Sequence, residues 1–219
     1  MGSITRSLAN NITTGGVILP AGITNSSVSA VTSFANASGG TLTLLSTQTA
    51  SNSATISFTT GLDSTYDAYE FKFIDIHPRT DDVDFRFNLS TDSGSNYNVT
   101  KTTTMFRAYH DEADTATLLA YDTGSDLAQS TGEQILTPNN IGNGADESIS
   151  GYLSLFNPSS TTYVKHFIAS INSYNPNNYT VKSFIAGYGN TTSAMNAIQF
   201  KMSAGNFDGT IKLYGLKKS

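Results

Sequence analysis

The stretch VDFRFNL, residues 83–89, alternates apolar and polar side chains without a break. Such alternation places the apolar side chains on one face of a β-strand and the polar ones on the other. The stretch YEFKFIDI, residues 69–76, spaces Tyr69, Phe71 and Phe73 in the same way and is predicted to be its partner strand. Both stretches therefore predict β-strands with one buried face.

Eight further segments have the length and composition of strands, and turn-forming residues separate them. They are residues 41–45, 54–58, 102–109, 149–156, 163–171, 180–186, 197–202 and 210–216. Ten short strands predict an all-β fold, an antiparallel β-sandwich of the jelly-roll kind. The best helix candidates are residues 114–120 and 191–197.

The N-terminal part of the chain has an unusual composition. Between Arg6 and Asp63 lie 56 residues without an Asp, Glu, Lys, Arg or His. The apolar residues there are too scattered to form a core, yet disordered tails are usually highly charged. We expect residues 1–40 to form an extended arm that a neighbouring protein covers, and residues 41–219 to form the β-sandwich domain; a flexible polar leader without a partner is the alternative. The docking residues of the arm would be Ile4, Leu8, Ile12, Val17, Ile18, Leu19 and Ile23.

Charge and residue usage exclude several classes of function. The net charge is −5, whereas a nucleic-acid-binding protein needs a basic surface to pair with phosphates. No run of 18 apolar residues occurs, so we expect no membrane insertion. The absence of cysteine removes disulfides, thiolate metal sites and cysteine nucleophiles.

The motifs of common enzymes are also missing. There is no G-x-S-x-G nucleophile turn and no Walker phosphate loop. The three histidines, His77, His110 and His166, do not have the spacing of metal ligands. We therefore expect neither an enzyme nor a cofactor.

Two segments are candidates for binding. The carboxylates of Asp111, Glu112 and Asp114 could hold Ca²⁺, but the glycine of a calcium loop is missing, and a solvated loop with a helix cap at Asp114 is the simpler explanation. The segment 171–179 combines tyrosine with asparagine, as sugar-recognising surfaces do, although a polar turn has the same composition. The glycan-contacting residues of this segment would be Tyr174, Asn175, Asn177, Asn178 and Tyr179.

Several phrases resemble virion structural proteins of tailed bacteriophages, especially marine phages and cyanophages. They are MGSITR at residues 1–6, LANNIT at 8–13, the whole of 43–78, LFNPSSTTYVKHF at 155–167 and SAGNFDGTIKLYGL at 203–216. The resemblance implies a tail-fibre or head-decoration protein whose arm attaches to the particle while the β-sandwich faces solvent. It also implies a homo-oligomer, with trimers common, that contacts other virion proteins after assembly in the host bacterial cytoplasm. It supplies no catalytic residue.

Three functions follow from these observations. The first is a non-enzymatic virion structural protein, a capsid decoration or a tail fibre, that docks through its N-terminal arm. The alternative is an adhesin at a fibre tip that binds polysaccharide on the host surface and so mediates host attachment. The second alternative is a glycan depolymerase, which would need an active site that the sequence does not display.

Overall fold

A computed structural model of the chain describes residues 42–216. Within this range the chain forms strands, turns and loops but no helix. The strands are β1 (Leu42–Ser53), β2 (Thr55–Phe58), β3 (Ala68–Pro78), β4 (Phe85–Ser90), β5 (Lys101–Asp111), β6 (Thr117–Tyr121), β7 (Gln134–Ile135), β8 (Ile149–Phe156), β9 (Lys165–Asn175), β10 (Tyr179–Gly189), β11 (Ala197–Met202) and β12 (Phe207–Leu216).

The strands form two antiparallel sheets. The large sheet has the order β1-β12-β3-β8-β9-β10-β5-β6, and the small sheet has the order β2-β11-β4-β7. Two blocks of four strands have the connectivity of a jelly roll: β1-β12-β3-β8 in the large sheet and β2-β11-β4-β7, the whole small sheet. The chain crosses from one block to the other at each of its first three connections, from β1 to β2, from β2 to β3 and from β3 to β4. The predicted all-β, jelly-roll-like sandwich is thus confirmed.

Two hairpins are added to this eight-stranded body. The hairpin β5-β6 is inserted between β4 and β7, and the hairpin β9-β10 is inserted between β8 and β11. They pair with each other and with β8, so the large sheet gains four strands in the order β9-β10-β5-β6. We call these four strands the extension and the other eight the body.

The core of the body is built from phenylalanine rings of both sheets. Phe200 on β11 lies at its centre and is fully buried. The Phe200 ring centroid lies 5.4 Å from that of Phe71 and 5.1 Å from that of Phe73, both on β3. Five such rings in edge-on and stacked contact stabilise the sandwich by apolar burial and by their ring geometry. Around Phe200 they are Phe58, Phe71, Phe73, Phe85 and Phe87.

The two stretches that predicted the fold do not pair with each other. Residues 69–76 lie in β3 of the large sheet, and residues 85–89 lie in β4 of the small sheet. Their apolar faces meet across the core instead, with 5.3 Å between the ring centroids of Phe73 and Phe85. The prediction of partner strands was wrong, because alternation shows which face is buried but not which strand lies alongside.

Both predicted helices are absent. Residues 117–121 form strand β6, which pairs with β5, and residues 191–196 form an irregular loop before β11. Leu118 and Leu119 point to opposite faces of the sheet, as neighbouring residues in a strand must. Pairing with β5 has overridden the helix propensity of Leu and Ala in this segment.

Some expectations concern residues that lie beyond this range. The arm and its docking residues between Ile4 and Ile23 are outside the described residues. Among residues 42–216, no helix with the length and apolar character of a membrane span is found.

Candidate interaction surface

The outward face of the extension carries a row of exposed apolar side chains. Their exposed fractions range from 37% for Phe184 to 74% for Leu119. The residues that alternate with them, such as Met105 and Ile185, are buried against the core side. We define the apolar stripe as these exposed residues together with the half-buried Ala186; the exposed members are Phe106, Leu119, Tyr121, Ile168 and Phe184.

Strand register brings these residues together from all four strands. Ile168 on β9 is opposite Ala186 on β10, and Phe184 on β10 is opposite Phe106 on β5. Phe106 is in turn opposite Tyr121 on β6. The rings of Phe106 and Phe184 stack with centroids 4.9 Å apart and an interplanar angle of 17°. The stripe is therefore continuous across the extension, since directly opposite side chains touch.

The stripe contains no charged residue. Lys182 is the one Lys, Arg, Asp or Glu among the outward-facing residues of β9, β10, β5 and β6, and its Nζ lies 5.3 Å from the centroid of the Phe184 ring. A shallow depression of about 180 Å³ lies between Phe106, Ile168 and Phe184. Because contiguous exposed apolar surface is common at interaction sites, the stripe is the candidate interaction surface of the described residues.

The three carboxylates considered as metal ligands lie at the end of β5 and in the turn that follows it. The carboxylate of Asp111 accepts hydrogen bonds from the backbone N–H of Thr115 at 2.9 Å and of Ala116 at 2.8 Å. A further hydrogen bond from the Thr115 hydroxyl is the largest cause that lowers the pKa of Asp111. Asp114 Oδ1 lies 3.1 Å from His110 Nε2, whereas the backbone N–H of Glu112 donates to the carbonyl oxygen of Asn178. Over residues 42–216, no group of three or more His, Asp or Glu could hold a metal ion.

The predicted glycan-contacting residues are divided between the two faces of the sheet. Tyr174 faces outward from β9, where its hydroxyl donates to Asn178 Oδ1 at 2.9 Å. Tyr179 faces the other way and packs edge-on against Tyr109, with ring centroids 5.1 Å apart. Asn175 is buried, and its Oδ1 accepts the backbone N–H groups of Asn177 and Tyr179. These residues build the β9-β10 turn and do not form one surface.

Two buried lysines went unnoticed in the sequence. Lys101 Nζ donates to Asn88 Oδ1 at 2.5 Å and to the carbonyl oxygen of Val99 at 2.8 Å. Burial lowers the pKa of Lys101 to about 8, although Glu133 opposes the shift. Lys165 Nζ donates to the carbonyl oxygens of Tyr163 and Thr191, and burial lowers its pKa as well.

Both lysines hold the extension to its surroundings. Each is the first residue of its strand, and both lie opposite Gly189 in the ladders on either side of β10. The position of each lysine in the alternating pattern of its strand could have indicated its burial. Lys101 shares a face with the buried Met105, and Lys165 shares a face with the buried Phe167.

No protein-family model, curated protein or solved structure matches this chain.

Proposed function

We propose that this chain is a non-enzymatic structural protein of a bacteriophage virion, a capsid decoration or tail-fibre component that works within an assembly. The observation that carries the proposal is the apolar stripe, an uncharged surface that spans four strands and is exposed in the described residues. Burial of such surface stabilises an assembly by about 25 cal/mol per Å² of apolar area.

The stripe suits a structural role better than a catalytic one. Its side chains are hydrocarbon, phenol and methyl groups, which offer contact area but no nucleophile, acid or base suited to chemistry near neutral pH. Apolar side chains from neighbouring strands form a flat surface that matches another flat surface. The virion context comes from the phrases in the sequence that resemble phage structural proteins.

The uncharged arm and the stripe would have different partners. The arm, residues 1–40, would dock on other virion proteins, and the stripe would join copies of this chain into a homo-oligomer. Many weak contacts at fixed spacing then produce durable attachment, since each bound copy raises the effective concentration of the next contact. The localisation would be the virion.

Purified particles provide the direct test. The chain should be detected by quantitative mass spectrometry in washed virions of the phage whose genome carries the gene, at a constant number of copies per particle. Absence from washed virions would overturn the proposal.

A double variant in the stripe and a control variant elsewhere on the surface test whether the stripe is needed for incorporation into particles. Phe106→Ser with Phe184→Ser should reduce the copies per particle, because these changes remove the stacked rings without disturbing the core. Ile74→Ser is the matched control, since Ile74 is an exposed apolar residue on β3 of the body. Equal incorporation of the double variant and the control would count against the stripe.

The arm can be tested by deletion of residues 1–40. The truncated chain should remain soluble and should no longer join particles. Incorporation at the wild-type copy number would remove the arm from the proposal. The host-glycan adhesin and the glycan depolymerase remain predictions from the sequence, since no feature of the described surface favours either.

A further inference from the structure

In the part of the chain that the structure describes, strand β6 leaves one edge of the large sheet unpaired. It is the last strand in the sheet order and pairs with β5 on one side. Within residues 42–216, no backbone hydrogen bond reaches its other side. An open edge of this kind presents a row of N–H and C=O groups that can pair with another strand.

The edge lacks the usual protection against such pairing. Natural edge strands carry lysine or other charges, proline or a bulge that prevents association. Strand β6 has the sequence TLLAY, residues 117–121, with no charge and no proline, and its register with β5 is regular. Asp122, the next residue, is neutralised by Arg107, whose Nη1 lies 2.6 Å from Asp122 Oδ2. Asp126 also lies at this end of the edge, where its Oδ2 accepts a hydrogen bond from the Tyr121 hydroxyl at 2.6 Å.

The opposite edge of the same sheet is different. Strand β1 lies beside β2 of the small sheet, and Gln48 Nε2 donates to the carbonyl oxygen of Ser57 at 2.8 Å. The body thus covers part of its own edge, whereas the extension leaves β6 open.

The sequence of β6 is complementary to itself in antiparallel pairing. With Leu119 at the centre, Leu119 of one copy faces Leu119 of the other, Thr117 faces Tyr121, and Leu118 faces Ala120. A smaller side chain faces a larger one on either side of the central leucine pair, and every pair is uncharged. Leu119, the most exposed of the large apolar residues, would be covered by its own counterpart.

We propose that β6 pairs antiparallel with β6 of a second copy of this chain about a twofold axis centred at Leu119. Two eight-stranded sheets then become one continuous sheet, and the two apolar stripes join across the axis. A twofold contact closes after two copies, so it makes a dimer and not the trimer that the phage resemblance implies. This pairing deepens the proposed function, on which it rests for its setting, by naming the partner of the exposed edge.

A charge exchange at Leu119 tests the pairing in the full-length chain. Leu119→Lys and Leu119→Glu each place like charges against each other at the axis, so each variant alone should dimerise at least tenfold more weakly than the wild type. An equimolar mixture should recover a dimer close to wild-type affinity, because Lys then faces Glu. Sedimentation velocity from 5 to 200 μM gives the masses and the dissociation constants.

Leu44→Lys is the matched control, since Leu44 is an exposed leucine on β1, at the other edge of the sheet. This variant should dimerise as the wild type does, and circular dichroism should show the same β signal for all three variants. A wild-type chain that stays monomeric at 200 μM would overturn the pairing, as would a mixture that fails to recover the dimer. A monomeric chain that is still found in washed virions would overturn the pairing alone and leave the proposed function standing.

Discussion

The body and the extension use the same kinds of residue in opposite ways. In the body, Phe200 is fully buried among rings from both sheets. In the extension, Phe106 and Phe184 stack on the outward surface with about two-fifths of each side chain exposed. A ring buried by its own chain contributes most of its apolar area to the fold, whereas a ring left exposed contributes less to the fold and keeps apolar area in contact with solvent. The body thus buries its rings within its own two sheets, whereas the extension leaves two of its rings on the surface of the described residues.

Removal of one ring from each region should have very different effects on stability. Phe200→Ala should lower the free energy of unfolding by about 3 to 5 kcal/mol, because it leaves a cavity at the centre of the core. Phe184→Ala should lower it by less than about 1 kcal/mol, since solvent or a partner fills the space. Urea unfolding monitored by circular dichroism measures both. Equal losses would show that the outward ring belongs to the core of the monomer.

The buried lysine that joins the two regions predicts a pH dependence. Lys101 on β5 of the extension donates to Asn88 on β4 of the body. Its pKa is about 8 when folded, against 10.5 for the free side chain, so the unfolded chain binds more protons between these values. The free energy of unfolding should therefore rise with pH in this window, by about 1.5 kcal/mol between pH 8 and pH 9.5.

Substitution of this lysine should remove the effect. Urea midpoints of Lys101→Met should show a much flatter rise between pH 8 and pH 9.5 than those of the wild type. Lys212→Met is the control, because Lys212 lies on β12 of the body and is not buried. A wild-type curve that falls over this range would contradict the assignment.

We expect a smaller change in the free energy of unfolding from substitutions at the β9-β10 turn of the extension. Asn175→Ala removes the acceptor for the N–H groups of Asn177 and Tyr179 and should cost about 1 to 2 kcal/mol of unfolding free energy. Tyr174→Phe removes one exposed hydroxyl and should cost less than about 0.5 kcal/mol. Thermal unfolding compares the two variants. If Tyr174→Phe were the more damaging, the outward tyrosine would have a structural role beyond the hydrogen bond that its hydroxyl donates to Asn178 Oδ1.

Local pattern was enough to locate most of the strands. Residues 149–156 and 197–202 were predicted with the bounds that β8 and β11 have. Alternation of apolar residues is a property of neighbouring residues, so it can be seen without knowledge of the partner strand. Strand β6 was mistaken for helix because Leu and Ala favour helix locally and the pairing with β5 lies elsewhere in the chain.

The binding candidates were harder to judge from composition. Asp111 and Asn175 are acidic and polar residues in loops, which suggested ligands, but their side chains accept backbone N–H groups of their own turns. Asp and Asn commonly serve turns in this way. The stripe itself was missed, because Phe106 and Phe184 are 78 positions apart in the sequence and become neighbours only through the ladder between β5 and β10.

The amino-acid sequence alone specifies an all-β chain with strands at known places, since period-two alternation, turn residues and the lack of charge over residues 7–62 are local features. Long-range pairing decides the rest. It determines which strands share a sheet, which hairpins extend that sheet and which apolar side chains stay exposed. The same alternation marks a buried face in β4 and β5 alike, and only the order of strands in the sheet shows that β5 also carries rings on its outward face.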